Sequence, residues 1–504
     1  MEQVRVGVEP PESEPPWILS LDIGTSSIRA RVFDALGREV EGLGARGTYS
    51  LHTSANGAVE ADPDEMLHVL WECIDEVMVK AQAWAYHIAG VAGCSLVSNV
   101  LGIDQTGQAI TPVYTYADTR PAADVVTLRR LLDEREVHRR TGCRFHTSYL
   151  PARFLWLART HPALFQRVVR WVSIGEYMEL QLFGETAVSY SVASWTGLLD
   201  RTRLQWDREL LQVLPIQDSH LSPLTDVSIP RQGLSSPFGS RWPALREVPW
   251  FPVVGDGAAA NVGSGCVTPH RVALTMGTSS AMRVVTREPV EDVPWGLWCY
   301  RVDGTRSLPG GALSEGGNVF AWLRERLRLP EDDDRLEAQL AQLPPDGHGL
   351  TVLPFFAGER SPGWRGDARA TIHGLTLAHT PLEILRAGME GVAYRLGRVF
   401  HLLRPLLPAS VEVIAGGGAL RHSPVWSQIL ADVLGHPVTM TQVPEVSARG
   451  AALLALEALG VLRLEEAPYF PGRTFWPDPR AHERYLAAME RQQALYARLW
   501  EAEE

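Results

Sequence analysis

The sequence predicts an α/β protein built twice over, as two lobes. Three observations carry that prediction. The tetrapeptide Gly-Thr-Ser-Ser occurs at residues 24–27 and again at 277–280, about half of the 504-residue chain apart. Each copy sits between two apolar, strand-like runs, Leu19-Ser-Leu-Asp22 before the first and Val272-Ala-Leu-Thr275 before the second. Amphipathic helical stretches alternate with short apolar strands along both halves, as layered α/β architecture requires.

Taken in order, residues 17–22 and 28–33 read as strands, and the turn at 34–37 leads into a third strand at 39–45. Residues 63–82 form a helix with Met66, Leu67, Leu70, Ile74, Val77 and Met78 at helical spacing and Asp62 as its cap. Residues 88–95 are the next strand. The stretch 118–171 is helical and Arg-rich, and 185–200 is loop and strand. Residues 214–252 hold seven prolines and few periodic signals, which suits a boundary between lobes. A strand at 251–254 then meets Gly255-Asp256-Gly257 and an Ala/Gly-faced helix reaching residue 265. The second hairpin spans 271–286. A long helix at 384–403 stops before Pro405. A strand at 411–415 runs into the glycine turn 416–418, and helices follow at 426–434 and 447–460. Residues 1–16, acidic and Pro-rich, read as a disordered tail. The expected lobes are 17–250 and 251–504.

Composition narrows the function. The net charge of −12 opposes a nucleic-acid or anionic-membrane partner, since both need clustered Lys and Arg. The five cysteines are scattered, with no CxxC pair, so neither a disulfide framework nor a zinc site is indicated, and a reduced cytoplasm is the expected setting. No run approaches the ~18 apolar residues of a membrane span.

The two turns carry the chemistry. A glycine followed by small hydroxyl residues exposes backbone N–H groups with little bulk over them, which a polyphosphate needs. One such turn is met in ordinary hairpins. Two, with matching strands, point to one nucleotide held from both sides. The copies differ two residues before the glycine, where the first has Asp22 and the second Thr275. A lone carboxylate there suits Mg²⁺ held through its waters. Asp256, bracketed by glycines where a strand gives way to a helix, is either a helix cap or a general base that takes a proton from an attacking hydroxyl. No Walker-type or strand-linked dinucleotide glycine motif is present.

Asp22-Ile-Gly-Thr-Ser-Ser, Gly255-Asp-Gly, Met276-Gly-Thr-Ser-Ser, Ile414-Ala-Gly-Gly-Gly-Ala419 and the segment 374–390 resemble, in order and spacing, the motifs of the FGGY carbohydrate kinases over residues 17–460. The resemblance implies an actin/hexokinase-like fold of two ribonuclease-H-like lobes, with ATP and Mg²⁺ as cofactors. It implies that Asp22 organises Mg²⁺, and that Gly24, Thr25 and Ser26 approach the γ-phosphate. Gly277 and Thr278 would hold phosphates, Gly317, Gly417, Gly418 and Ala419 would line the nucleotide site, and Asp256 would be the catalytic base touching substrate.

The segments 116–120, 141–149, 173–177 and 358–364 resemble the gluconate-kinase branch. Gluconate, phosphorylated to 6-phosphogluconate, is therefore the leading expectation. Ser98, Asp118, Arg120, His146 and Tyr149 are the expected substrate residues, with Arg120 facing a carboxylate through its two-pronged geometry. One departure is Leu96-Val-Ser-Asn99, where Ser98 stands at the place of a histidine of that branch. A pentulose or polyol kinase, or a catalytically silent nucleotide-binding protein of this fold, remain alternatives. The expected partner is a small sugar or sugar acid, not nucleic acid or membrane; a homodimer is considered without a sequence feature that specifies it.

Overall fold

The structure, a computed structural model, describes residues 6–500. Two mixed sheets organise it. The first has six strands in the spatial order Gly7–Val8, Glu39–Gly47, Ile28–Phe33, Trp17–Ile23, Ile88–Ser95, Val254–Gly255. The second has seven, in the order Trp298–Arg301, Ser307–Leu313, Ser280–Val284, Arg271–Met276, Glu412–Gly416, Val438–Thr441, Pro471–Phe475. In each sheet the hairpin that carries Gly-Thr-Ser-Ser is extended by an antiparallel strand on one side and by two parallel strands on the other. The half-chain repeat of the sequence is a repeat of sheet topology.

The central strand Trp17–Ile23 is buried along its whole length, as a strand covered on both faces must be. Helix Pro63–Lys80 covers one face of the first sheet and inserts Met66, Leu70, Ile74 and Val77 into the core. Each such side chain, fully buried, contributes roughly 1.5–3 kcal/mol. Asp62 caps this helix by accepting from the N–H groups of Asp64 and Glu65. Its counterpart on the second sheet, Pro381–Leu403, starts with a capping box of Thr380 and Glu383 and buries Leu385, Met389, Val392, Leu396 and Leu403.

Two further helices, Asp256–Gly263 and Val446–Ala458, cross between the sheets. Their backbones touch: a Cβ at Gly263 would lie 1.8 Å from the Val446 carbonyl oxygen, and one at Gly450 1.8 Å from that of Ala259. Ser20 Oγ donates to the Ala448 carbonyl at 2.7 Å, which ties the second helix to the first sheet. Arg449, almost fully buried, donates to the carbonyls of Gly37, Gly263 and Pro468 and so joins both lobes.

Several expectations change. Within the segment read as a disordered tail, Gly7–Val8 pairs in parallel with Glu39–Val40, and Pro10–Glu12 forms a 3-10 turn; residues 1–5 lie outside the described residues. The proline-rich stretch 214–252 is no linker. Leu224–Thr225 pairs with Val188–Ser189, and Trp242 and Trp250 are buried in the first lobe's core. Its prolines break periodicity without preventing packing. Val254–Gly255 is the edge strand of the first sheet, so a lobe boundary at residue 250 cuts that sheet. The helical stretch 118–171 resolves into Ala122–Leu131, Glu134–Thr141, Leu150–Thr160 and Pro162–Arg167, closing on strand Arg170–Val172. The helix Pro479–Trp500, unforeseen, packs its Tyr485 and Ala488 against the second core.

Candidate active site

The first hairpin turns tightly, with Gly24 N–H donating to the Ser27 carbonyl at 3.1 Å. Tyr49 Oη donates to the carbonyls of Gly24 and Thr25, both at 2.7 Å, which fixes the turn from below. Ser26 at the tip is exposed. Asp22, 5% exposed, accepts from Arg29 Nη1 at 2.8 Å through one carboxylate oxygen. The other oxygen meets only the Cys94 thiol, at 3.5 Å. Burial raises the Asp22 carboxyl above its ordinary range, against the lowering by Arg29.

The second hairpin repeats the turn, with Gly277 N–H donating to Ser279 at 3.0 Å. It also receives the start of helix Gly317–Arg326: Gly317 N–H donates to the Gly277 carbonyl at 2.7 Å and Asn318 N–H to Thr278 at 3.1 Å. A Cβ at Gly317 would lie 2.8 Å from the Gly277 oxygen, so only glycine fits there. Gly417 is left-handed (φ +105°), and a Cβ there would lie 2.2 Å from the Met276 carbonyl oxygen. Gly277, Thr278, Gly317, Gly418 and Ala419 line one cavity of about 720 Å³, closed by Phe320, Trp322 and Trp426. Gly417 lies next to it, lining an adjoining cavity of about 440 Å³ with Gly418, Asp256 and Arg283. The expected nucleotide residues of the second lobe therefore converge.

Asp256 opens its helix at the end of strand Val254–Gly255. Asp22, Cys94 and Val254 lie in register on three neighbouring strands, so Val254, two residues before Asp256, stands two strands from Asp22, about 10 Å across the sheet. Its carboxylate accepts from the Gly257 N–H at 2.7 Å. Enclosure raises its pKa to about 6, and the charge of Asp22 adds to that; Arg283 and the Gly257 N–H oppose it. A carboxylate with such a pKa is ionised at neutral pH yet basic enough to accept a proton.

The expected sugar-side residues are less convergent. Arg120 is not free to face a substrate carboxylate. It is clamped by Asp118, with Nε 3.0 Å from Oδ1, and by Glu60, and it lies over the Trp156 ring at 4.4 Å. Asp118 is fully buried in the same pair and offers polyols no exposed oxygen. Ser98, in the left-handed region (φ 54°), donates its hydroxyl proton to the Trp195 carbonyl at 2.6 Å, so it is a loop-fixing residue and not a free donor. Tyr149 is 2% exposed and shares a hydrogen bond of 2.5 Å with Tyr300 across the lobes. His146 remains available. Its Nδ1 accepts from the Ser148 N–H at 3.1 Å, which places the proton on Nε2. Burial first, then the charges of Arg360 and Arg129, lower its pKa to about 3.

Sequence reasoning passed over three arginines. Arg153 is fully buried and donates to the carbonyls of Ser98, Tyr114, Thr115 and Thr147, drawing three substrate-side loops together. Nothing in the sequence around it signals this. Arg283 has Nη1 3.2 Å from Thr275 Oγ1 and a buried Nε without a partner. It stands where the first repeat has Ala30, a difference visible in the aligned copies. Arg360 lies in the segment 358–364 that the branch resemblance already contained.

Residues 17–263 match the FGGY family of carbohydrate kinases, N-terminal domain, and residues 272–459 match the C-terminal domain of the same family. The chain is 30% identical over 456 residues to a gluconokinase of Bacillus subtilis, covering 88% of each chain. It is 29% identical over 512 residues to an autoinducer-2 kinase of Salmonella paratyphi A, covering 95% of this chain and 94% of that one. Among solved structures, a ligand-bound xylulose kinase from Lactobacillus acidophilus superposes with a TM-score of 0.89 at 25% identity, over 97% of this chain and 99% of that one. No helix among the described residues is long and apolar enough to cross a membrane. Two lobes of one topology, each with a phosphate-type turn, agree with these matches: the chain belongs to the FGGY family of carbohydrate kinases and is a phosphotransferase that acts on a sugar hydroxyl.

Proposed function

We propose that the protein transfers the γ-phosphoryl group of ATP to a hydroxyl of a small sugar acid, with gluconate and its 6-hydroxyl as the first candidate. The observation that carries this reading is Asp256, a carboxylate titrating near pH 6 at a strand-to-helix junction beside the nucleotide-side cavities. Asp256 takes the proton of the substrate hydroxyl as that oxygen attacks the γ-phosphorus, while the bond from phosphorus to the ADP oxygen breaks. The backbone N–H groups of Thr25 and Ser26 and of Thr278, in turns closed by Gly24 and Gly277, hold the phosphate oxygens from the two lobes. ATP's base and ribose occupy the cavity bounded by Gly317, Gly418 and Ala419. The free oxygen of Asp22, with only a thiol near it, fits an outer-sphere Mg²⁺ ligand; the ion would neutralise charge on the transferring phosphoryl group.

The 30% identity to a gluconokinase supports gluconate. A second reading, a neutral pentulose as substrate, is supported by the likeness to a xylulose kinase. ADP release assayed against gluconate, xylulose, ribulose, pentitols, glycerol and autoinducer-2 decides between them. The highest kcat/KM is expected with gluconate; a higher value with any neutral substrate would overturn the acid reading.

A further inference from the structure

An acid substrate carries a carboxylate into a closed cleft, and that charge needs a cation whose own charge is not already neutralised. Most arginines around the cleft fail this condition. Arg120 is held by Asp118 and Glu60, Arg144 and Arg129 by Glu134, Arg395 by Glu359, and Arg153 by four carbonyls.

Arg360 and Arg283, both of the second lobe, do not fail it. Arg360 makes no ion pair and no side-chain hydrogen bond among the described residues, and its Nε is buried without a partner. Arg283 makes one hydrogen bond, to the neutral hydroxyl of Thr275, and its Nε is likewise buried and unpartnered. The nearest acid to Arg283 in electrostatic terms is Asp256.

Packing ties these groups to the two ends of the site: a Cβ at Gly257, next to Asp256, would lie 3.2 Å from Arg283 Nε, while the Arg360 carbonyl accepts from the Trp364 N–H at 2.6 Å and the Trp364 ring meets His146 edge-on at 5.5 Å; the electrostatic neighbours agree. Asp256 responds to Asp22 and Arg283. Arg283 responds to Asp256, Arg360 and Tyr300. Arg360 in turn acts on His146, Tyr149 and Tyr300. The order is base, first free guanidinium, second free guanidinium, then the neutral His146 with its proton on Nε2. Two like charges that act on each other, each with a buried, unbonded Nε, are costly to the folded protein. An arriving carboxylate removes that cost and accepts the charge-assisted hydrogen bonds that are missing.

We propose that Arg360, assisted by Arg283 and by the Nε2–H of His146, binds the carboxylate of the substrate and makes this kinase selective for sugar acids. The acceptor hydroxyl then lies at Asp256 and the acid group at the opposite end of the same chain of groups. This inference rests on the acid-substrate reading above. The other anion able to meet Arg283 is the γ-phosphoryl group, and the test separates the two.

The experiment compares gluconate with glucitol, the same carbon chain with an alcohol in place of the carboxylate, in the wild type, Arg360→Gln, Arg360→Lys and Arg283→Gln. Calorimetric titration with gluconate and, separately, with a non-hydrolysable ATP analogue provides a readout independent of turnover, and the latter also reports folding. The gluconate-to-glucitol ratio of kcat/KM is expected to fall at least about tenfold in Arg360→Gln, the factor of one or two lost charge-assisted bonds. Gluconate affinity should fall in parallel and ATP-analogue affinity should hold, with Arg360→Lys recovering part of the loss. An unchanged ratio in an enzyme that prefers gluconate would overturn this inference and leave the acid reading standing. Equal loss for both substrates together with weakened ATP-analogue binding would overturn it in favour of a phosphoryl contact. A wild type that prefers glucitol or a ketose would remove the acid reading, and this inference with it.

Discussion

The two Gly-Thr-Ser-Ser hairpins share backbone and differ in charge. In the first, Asp22 is present and Arg29 is bonded to it. In the second, Thr275 takes the place of the acid, and Arg283 has only that hydroxyl. One copy presents an acid that a neighbouring cation holds in place; the other presents a cation that no acid holds. The repeat thus keeps the turn, which any phosphate can use, while the residues that flank it differ in charge. Identical backbones do not imply identical ligands.

The division of labour breaks most severely at Asp256, the carboxylate that faces both halves. Asp256→Asn keeps the shape but cannot accept a proton, so single-turnover assays should show kcat lower by about 10²-fold or more with nucleotide affinity retained. The same variant should be more heat-stable than wild type at pH 8. The folded carboxyl titrates near 6 against an ordinary 3.8, so its stabilising contribution is complete below about pH 4 and is lost as the pH rises through 6. The stability difference should therefore close near pH 4 in thermal unfolding; a constant difference would deny the raised pKa.

Giving the first hairpin the second's residue, Asp22→Thr, should cost about tenfold or more in kcat and shift the Mg²⁺ requirement upward in a metal titration. An unchanged Mg²⁺ dependence would place the metal elsewhere. A gentler probe is the pH profile. kcat/KM should rise with pH through about 6 and level above it, as Asp256 ionises. Arg283→Gln removes a cation that favours the ionised form, so the rising limb should move to higher pH. The smallest effect is expected at Arg120→Lys, where the gluconate-to-glucitol ratio should stay within about threefold while the melting temperature drops, because the change weakens a bidentate, ring-stacked pair whose charge is already neutralised by Asp118 and Glu60.

Much of this was legible beforehand because it is written in local pattern. The strands flanking residues 24 and 277, the caps at Asp62 and the junction at Asp256 depend on neighbours in sequence. The requirement for glycine at 317 and 417 is structural: backbone approaches there in a way that no side chain tolerates. The pairing on the expected substrate side was not legible, because pairing is not local. Glu60, which closes Arg120, lies 60 residues away, and Arg153 reaches carbonyls up to 55 residues away. Spacing alone does not say whether a guanidinium is already occupied. The proline count of 214–252 misled for a related reason, since prolines end periodic segments whether or not the chain between them is buried.

The aromatic column at the lobe contact gives the molecule an optical gauge. Trp195 comes from the first lobe and stacks on Tyr300 of the second, ring centroids 3.7 Å apart, with Trp298 following Tyr300 at 4.2 Å. Electronic transitions of rings stacked this closely couple, and the coupling fades steeply with separation. A change of a few ångströms between the lobes is thereby converted into a change of near-ultraviolet circular dichroism, and a Trp195→Phe difference spectrum isolates that signal from the other tryptophans. Whether substrate moves the two halves can thereby be tested in real time without attaching any label.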